Sequence, residues 1–196
     1  MRRSLPAVLA ALACAACGNN DNVVYGSAPG TTDTQAVIFD NVNSVINARV
    51  SLTDANGMEV RKSGAIVISD QPGLCDTLKT NPGLFTGTAS RTYEALILFV
   101  PADYLGTFLI GRLGPADQAT NSWVIGAVQG HPVLPAVVVS GYVALTNWSD
   151  SSGDNTNGSF DLIYGGPQNA GFSEFAGKYR SSYCPALANA QFPGKW

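Results

Sequence analysis

A period of two is the feature that most constrains the fold of this chain. From about residue 34 onward, β-branched and aromatic residues alternate with polar ones in runs separated by turn chemistry, the pattern of strands that carry one face on a core and one in water. The runs are Gln35–Phe39, Val45–Thr53, Gly64–Ser69, Thr92–Val100, Gly106–Arg112, Trp123–Val128, Ala136–Thr146, Ser159–Tyr164 and Ser173–Tyr179. About nine strands with short connections predict an all-β fold, an antiparallel sandwich or barrel. Pro101, Pro115, Pro132, Pro135 and Pro167 fall between the runs, where a missing amide hydrogen costs no ladder bond. Asn56-Gly57 and Asn157-Gly158 read as hairpin turns, because primed turns need positive φ at both central residues. Alternation places Val139, Val143 and Leu145 on one face with Gly141, and Ser140, Tyr142 and Thr146 on the other. Phe160, Leu162 and Tyr164 are expected to be buried, with Asp161 outside.

One short helix interrupts this pattern. Asp70 suits the N-cap, Pro72 the first turn, and Leu74, Cys75 and Leu78 fall at helical spacing before Asn81-Pro82-Gly83 stops the run. Leu74 and Leu78 are expected to plug one end of the β structure. With 45% hydrophobic residues, 21 Gly and 11 Pro, the chain is too apolar for disorder and too turn-rich for a helical bundle. Its 196 residues are enough for one well-buried core and short for two.

The first residues read differently. Met1–Ser4 hold two arginines, and Leu5–Ala16 are apolar or small up to Cys17, the n-region and h-region of an export signal. The apolar run is well below the ~20 residues that span a bilayer as a helix. Ala15 and Ala16 precede Cys17, and Gly18 with Asn19, Asn20, Asp21 and Asn22 follows it. This junction resembles the lipobox of bacterial lipoproteins. The resemblance implies a signal peptide over 1–16, cut just before Cys17, and a Cys17 linked to diacylglycerol, with its new amino terminus acylated by a fatty acid such as palmitate. From Gly18 to about Asp33 the sequence is rich in Asn, Gly, Ser, Thr and Pro with no periodicity apart from a short strand signal at Val23–Tyr25, which reads as a flexible tether ahead of a single β domain over 34–196. Gly18, rather than Asp, after the cysteine points to the outer membrane where enterobacterial-type sorting applies. The alternative is a soluble secreted or periplasmic protein, cut after an Ala-x-Ala step.

Cleavage before Cys17 removes Cys14 and leaves one lipid site and an even pair, Cys75 and Cys184. An oxidising envelope favours joining these two as a disulfide, and two isolated cysteines without Cys-x-x-Cys spacing are poor material for zinc. The segments Gly141–Thr146, Gly158–Leu162, Phe175–Tyr179 and Tyr183-Cys184 resemble a pattern in uncharacterised exported β proteins of bacteria. That resemblance implies the β architecture and the cysteine pairing, and carries no activity.

Charge excludes one class of partner. The formal net charge of −3 becomes −5 once Arg2 and Arg3 leave with the leader, and the remaining Lys and Arg are scattered, so nucleic acid is not an expected ligand. Catalytic signatures are thin. His131 is the sole histidine, with no Gly-x-Ser-x-Gly elbow to accompany it. Asp103, Asp117, Asp150, Asp154, Asp161 and Glu174 sit near strand ends, but nothing in the sequence pairs two of them as a glycosidase would need. The candidate metal site is an oxygen-rich segment, Asp150, Ser152, Asp154 and Asn157, with Asp161 beyond. Measured against a calcium loop it has Asn155 where the sharp-turn glycine belongs and Asp161 in place of the bidentate Glu, so a plain hairpin loop is expected. Trp123, Trp148, Tyr104, Tyr142 and Tyr183 are candidates for a surface that stacks on a glycan or protein partner. Asn147-Trp-Ser149 and Asn157-Gly-Ser159 match the glycosylation acceptor pattern, which a bacterial envelope makes incidental. No cofactor is indicated. The expectation is a non-enzymatic lipoprotein of the cell envelope, a binding or structural module whose lipid ties it to the membrane. A barrel-type carrier of a small apolar ligand is the runner-up, and a hydrolase with an unrecognised carboxylate site is a third.

Overall fold

The computed structural model describes residues 22–26, 28–29, 36–37, 41–53, 58–86, 93–110, 121–128, 131–133, 138–165 and 172–192. They form strands β1 (Val23–Gly26), β2 (Ala28–Pro29), β3 (Ala36–Val37), β4 (Ser44–Thr53), β5 (Glu59–Ser69) and β6 (Ala95–Val100). Beyond these come β7 (Gly106–Leu109), β8 (Asn121–Val128), β9 (His131–Val133), β10 (Val138–Asn147), β11 (Asn155–Gly165) and β12 (Phe172–Tyr183). A helix α1 (Leu74–Thr80) and a 3-10 turn at Pro185–Asn189 complete the set. The fold is all-β, and each of the nine anticipated runs holds a strand. The signal at Val23–Tyr25 is β1, which pairs antiparallel with β12 from Val23↔Lys178 to Gly26↔Phe175. Asn22 Oδ1 accepts from the Arg180 amide at 2.6 Å, so β structure is already present within the segment expected as a tether. Cys17 and the Asn56-Gly57 turn lie outside the described residues.

Ten strands make one sheet in the order β7-β10-β11-β12-β4-β5-β6-β8-β9, with β1 on β12, while β2 and β3 pair separately. Every pairing is antiparallel except β12 with β4, which is parallel at Ser182↔Ile46 and Tyr183↔Asn47. The sheet is therefore mixed rather than purely antiparallel. Turn signals report on chain neighbours only, and this closure joins strands from opposite ends of the domain.

The sheet curls into a half-barrel. One core cluster takes Val45, Ile66, Ile68, Leu96 and Leu98 from β4–β6, and Val143, Phe160, Leu162, Tyr164, Phe175 and Tyr179 from β10–β12. The inward alternation read for β10 and β11 holds at Val143, Leu145, Phe160, Leu162 and Tyr164, all buried. A second cluster lies on the opposite face of β4–β6, where Ile46, Val50, Leu52, Val67, Ile97 and Phe99 meet Leu74, Leu78, Phe85 and Leu187. Strands β5 and β6 are thus sandwiched between two apolar layers. That is why Ala95–Val100 reads as an unbroken apolar run with all six residues buried, as doubly covered strands do.

Helix α1 lies over this outer face. Its N-cap position is Gly73 and its first residue is Leu74, not the start that an Asp70 cap would give. Asp70 Oδ1 instead accepts from the Glu94 amide at 2.7 Å, tying the end of β5 to the start of β6. Ser44 Oγ takes the capping part from another strand, accepting from Leu74 N at 3.3 Å and donating to Gln71 O at 2.6 Å. Cys75 in α1 is disulfide-bonded to Cys184, with Cα atoms 5.8 Å apart and 109 positions of chain between them. The expected pairing is present, and it staples the covering layer to the end of β12. Among the described residues no helix is long and apolar enough to cross a membrane.

Asn157-Gly158 is not a turn. Both residues lie inside β11, paired with Arg180 and Tyr179 of β12. The glycine is there for space, since a β-carbon would sit 2.0 Å from Ala144 O and 2.2 Å from Tyr179 Oη. The actual connection between β10 and β11 runs through residues 148–154.

Candidate functional site

Along β4 the residues on the barrel-facing side, Val45, Asn47, Arg49, Ser51 and Thr53, change from apolar to polar. This gradient marks where the strand leaves the core. At its inner end Asn47, 0% exposed, donates from Nδ2 to Ser149 O at 2.8 Å and accepts at Oδ1 from Ser181 Oγ at 3.0 Å. Ser149 N in turn donates to Thr156 Oγ1 at 2.8 Å. Four polar residues from β4, β12, β11 and the 148–154 loop therefore satisfy one another at the end of the barrel. A buried amide leaves a cost of roughly 1–3 kcal/mol if its partners are lost.

One step further out, Arg49 collects the loop. Its Nε donates to Asp150 Oδ2 at 2.7 Å, and its Nη1 donates to Asp103 Oδ1 at 2.5 Å. Trp148 Nε1 donates to the other Asp150 oxygen at 2.7 Å, and the Arg49 guanidinium stands 5.9 Å from the Trp148 ring centre. Trp148 packs on the first core cluster. Hydrogen bonding to Asp150 holds the Arg49 pKa above its ordinary value, with Asp103 adding to it and desolvation opposing it.

Beyond this cluster lies an open groove of about 330 Å³, lined by Arg49, Ser51, Lys62, Ser63, Asp103 and Tyr104 among others. Tyr104 is 57% exposed. Ser63 Oγ is committed to backbone, donating to Val100 O at 3.1 Å and Gly64 O at 3.2 Å, so it is not poised as a nucleophile. The charged lining is Arg49, Lys62 and Asp103, and Asp150, which pairs with Arg49 but does not line the groove, offsets the remaining positive charge. A second open groove, of about 410 Å³, lies near Leu52, Thr86, Asn189 and Phe192 and is lined by no charged side chain.

The oxygen-rich loop does not assemble as a calcium ligand set. Asp150 turns to Arg49 and Trp148, Ser152 and Asp154 are exposed, and Asn157 lies in β11 with its amide donating to Asn147 Oδ1 at 2.8 Å. Asp161 is also on β11, opposite Tyr142 and Ala176. Among the described residues no three His, Cys, Asp or Glu side chains come together to hold a metal ion. His131 opens β9 and Trp123 lies in β8, but their side chains lie outside the described residues. Of the other aromatic candidates, Trp148 and Tyr104 flank Arg49, while Tyr142 is on the outer face and Tyr183 packs against the second cluster.

Sequence reasoning passed over Asn47, Arg49 and Asp103 as a set. The available signal was the β4 gradient, in which an arginine occupies a position that alternation aims at the core. No family model, no curated protein and no solved structure matches this chain.

Proposed function

We propose that this chain is an exported lipoprotein, held to the cell envelope by a lipid on Cys17, whose β domain is a non-enzymatic binding module. The observation that carries the binding reading is the groove beside Arg49. Its lining carries Arg49, Lys62 and Asp103, Arg49 is fixed by Asp103 and by Asp150 behind it, and Tyr104 presents an exposed ring. A groove whose cations are largely neutralised by carboxylates, with the Ser51 and Tyr104 hydroxyls and an aromatic edge, suits an uncharged polyhydroxylated ligand, a glycan of the cell surface.

The filled interior favours this reading over a barrel-type carrier, because Phe160, Phe175, Tyr164 and Tyr179 occupy the space such a ligand would need. A carboxylate hydrolase is disfavoured because the Arg49 guanidinium bonds to both Asp103 and Asp150, so neither faces the other across free space. The experiment is a screen of the folded domain against neutral and acidic envelope oligosaccharides, followed by titration. Binding that falls at least tenfold in Tyr104→Ala, with melting temperature unchanged, supports the reading. Binding that survives both Tyr104→Ala and Lys62→Ala contradicts it.

A further inference from the structure

On the side of β10–β12 away from the core, the cross-strand register lines up one row. Leu109 lies opposite Tyr142, Tyr142 opposite Asp161, Asp161 opposite Ala176, and Ala176 opposite Tyr25. Their neighbours Phe108, Val143, Phe160, Phe175 and Val24 point to the core cluster, so the row faces outward. Leu109 is 71% exposed, Tyr25 65% and Ile163 37%. Around them Lys178 and Arg180 are balanced by Asp161 and Glu174. No residue of the Arg49 groove belongs to this face.

Strand β1 is both a member of this face and the first part of the domain reached from Cys17. Cys17 and Asn22 are five positions apart, which limits their separation to about 18 Å even when fully extended. A headgroup layer of roughly 5–7 Å per leaflet uses part of that span. We infer that the outer face of β7, β10, β11, β12 and β1 rests on the phospholipid surface, with Tyr25, Tyr142, Leu109 and Ile163 at headgroup level. This rests on the lipid anchor at Cys17. Tyrosine suits that depth because its ring is apolar and its hydroxyl wet. The balanced charges mean that the contact does not require acidic lipid.

The test uses the full lipidated protein in phosphatidylcholine vesicles, treated with a water-soluble amine-acylating reagent. Lys178 lies on the proposed contact face, whereas Lys79 is exposed on α1, which covers the other side of β4–β6. The Lys178 to Lys79 labelling ratio should fall several-fold relative to soluble Cys17→Ser protein. Tyr25→Glu with Leu109→Glu should restore it while the lipid adduct stays on. An unchanged ratio in protein whose intact mass shows the lipid overturns the docking inference alone. A protein exported without lipid overturns the anchor and the docking together, and intact mass separates the two failures.

Discussion

Trp148 closes against Gly64 so tightly that a side chain there would force a neighbour to move: a β-carbon added to Gly64 would lie 2.7 Å from Trp148 Cη2 and 2.7 Å from Ala102 Cβ. The indole seals the end of the barrel over β5, and its position sets where the 148–154 loop, and with it Asp150, meets Arg49. Gly64→Ala should destabilise the domain by roughly 1–3 kcal/mol through overpacking. It should also shift Trp148 fluorescence, because the ring must move. A denaturant midpoint identical to that of the unaltered protein would contradict this packing.

Arg49→Met keeps the length of the stem but leaves Asp103 and Asp150 without their common partner. The partners are 39–73% exposed, so the expected cost is about 1 kcal/mol or less, a fall in melting temperature of at most roughly 2–4 °C. The difference should shrink in high salt. Calorimetry at two ionic strengths checks it, and a salt-independent difference would show that packing, not charge, is what Arg49 supplies.

The Cys75–Cys184 disulfide closes a loop of about a hundred residues, for which chain entropy gives up to ~4.7 kcal/mol. Reduction should lower the melting temperature markedly. Cys75→Ala and Cys184→Ala should each do the same, with no further loss when reductant is added. Non-reducing peptide mapping should find the two segments linked. A reduced protein as stable as the oxidised one would contradict the stapling of α1 onto the sheet.

Tyr179 Oη donates to Ala144 O at 3.0 Å inside the barrel, and burial pushes the phenol pKa up. The folded protein therefore holds this proton where the unfolded chain, with an ordinary value near 10, releases it. Stability from this group is complete below about pH 10 and declines as pH rises above it. Tyr179→Phe should cost about 1 kcal/mol at neutral pH and should flatten the decline in melting temperature between about pH 9 and 11. Parallel slopes for the two proteins would contradict a buried, neutral phenol.

Period-two patterning located the strands because each buries a face along its own length, and Phe160, Leu162 and Tyr164 show how directly alternation reports that. It reported less on β6, where six consecutive buried residues record two covering layers rather than one. Local signals misled where a distant partner set the geometry. Asp70 carries good capping chemistry but serves the Glu94 amide, and Asn157-Gly158 has the composition of a turn while Gly158 makes room for Tyr179. The candidate site is the extreme case. Arg49 lies 54 positions from Asp103 and 101 from Asp150; the antiparallel run β4–β5–β6 sets Arg49 across Gly64 from Val100 and so near Asp103, while the closure of β12 on β4 and the return of the 148–154 loop bring Asp150. The 148–154 loop displays oxygen atoms in its sequence, but the Asp150 carboxylate serves the Arg49 guanidinium.

The anchor on Cys17 is the claim on which the placement of the domain depends, and intact-mass analysis of the mature protein purified from membranes tests it most directly. The expected result is a chain beginning at Cys17 and carrying a diacylglyceryl adduct with acylation at its amino terminus, in a protein that partitions into detergent, and loss of both the adduct and the partitioning in Cys17→Ser. A water-soluble protein with an unmodified mass, cleaved at another position, would contradict it.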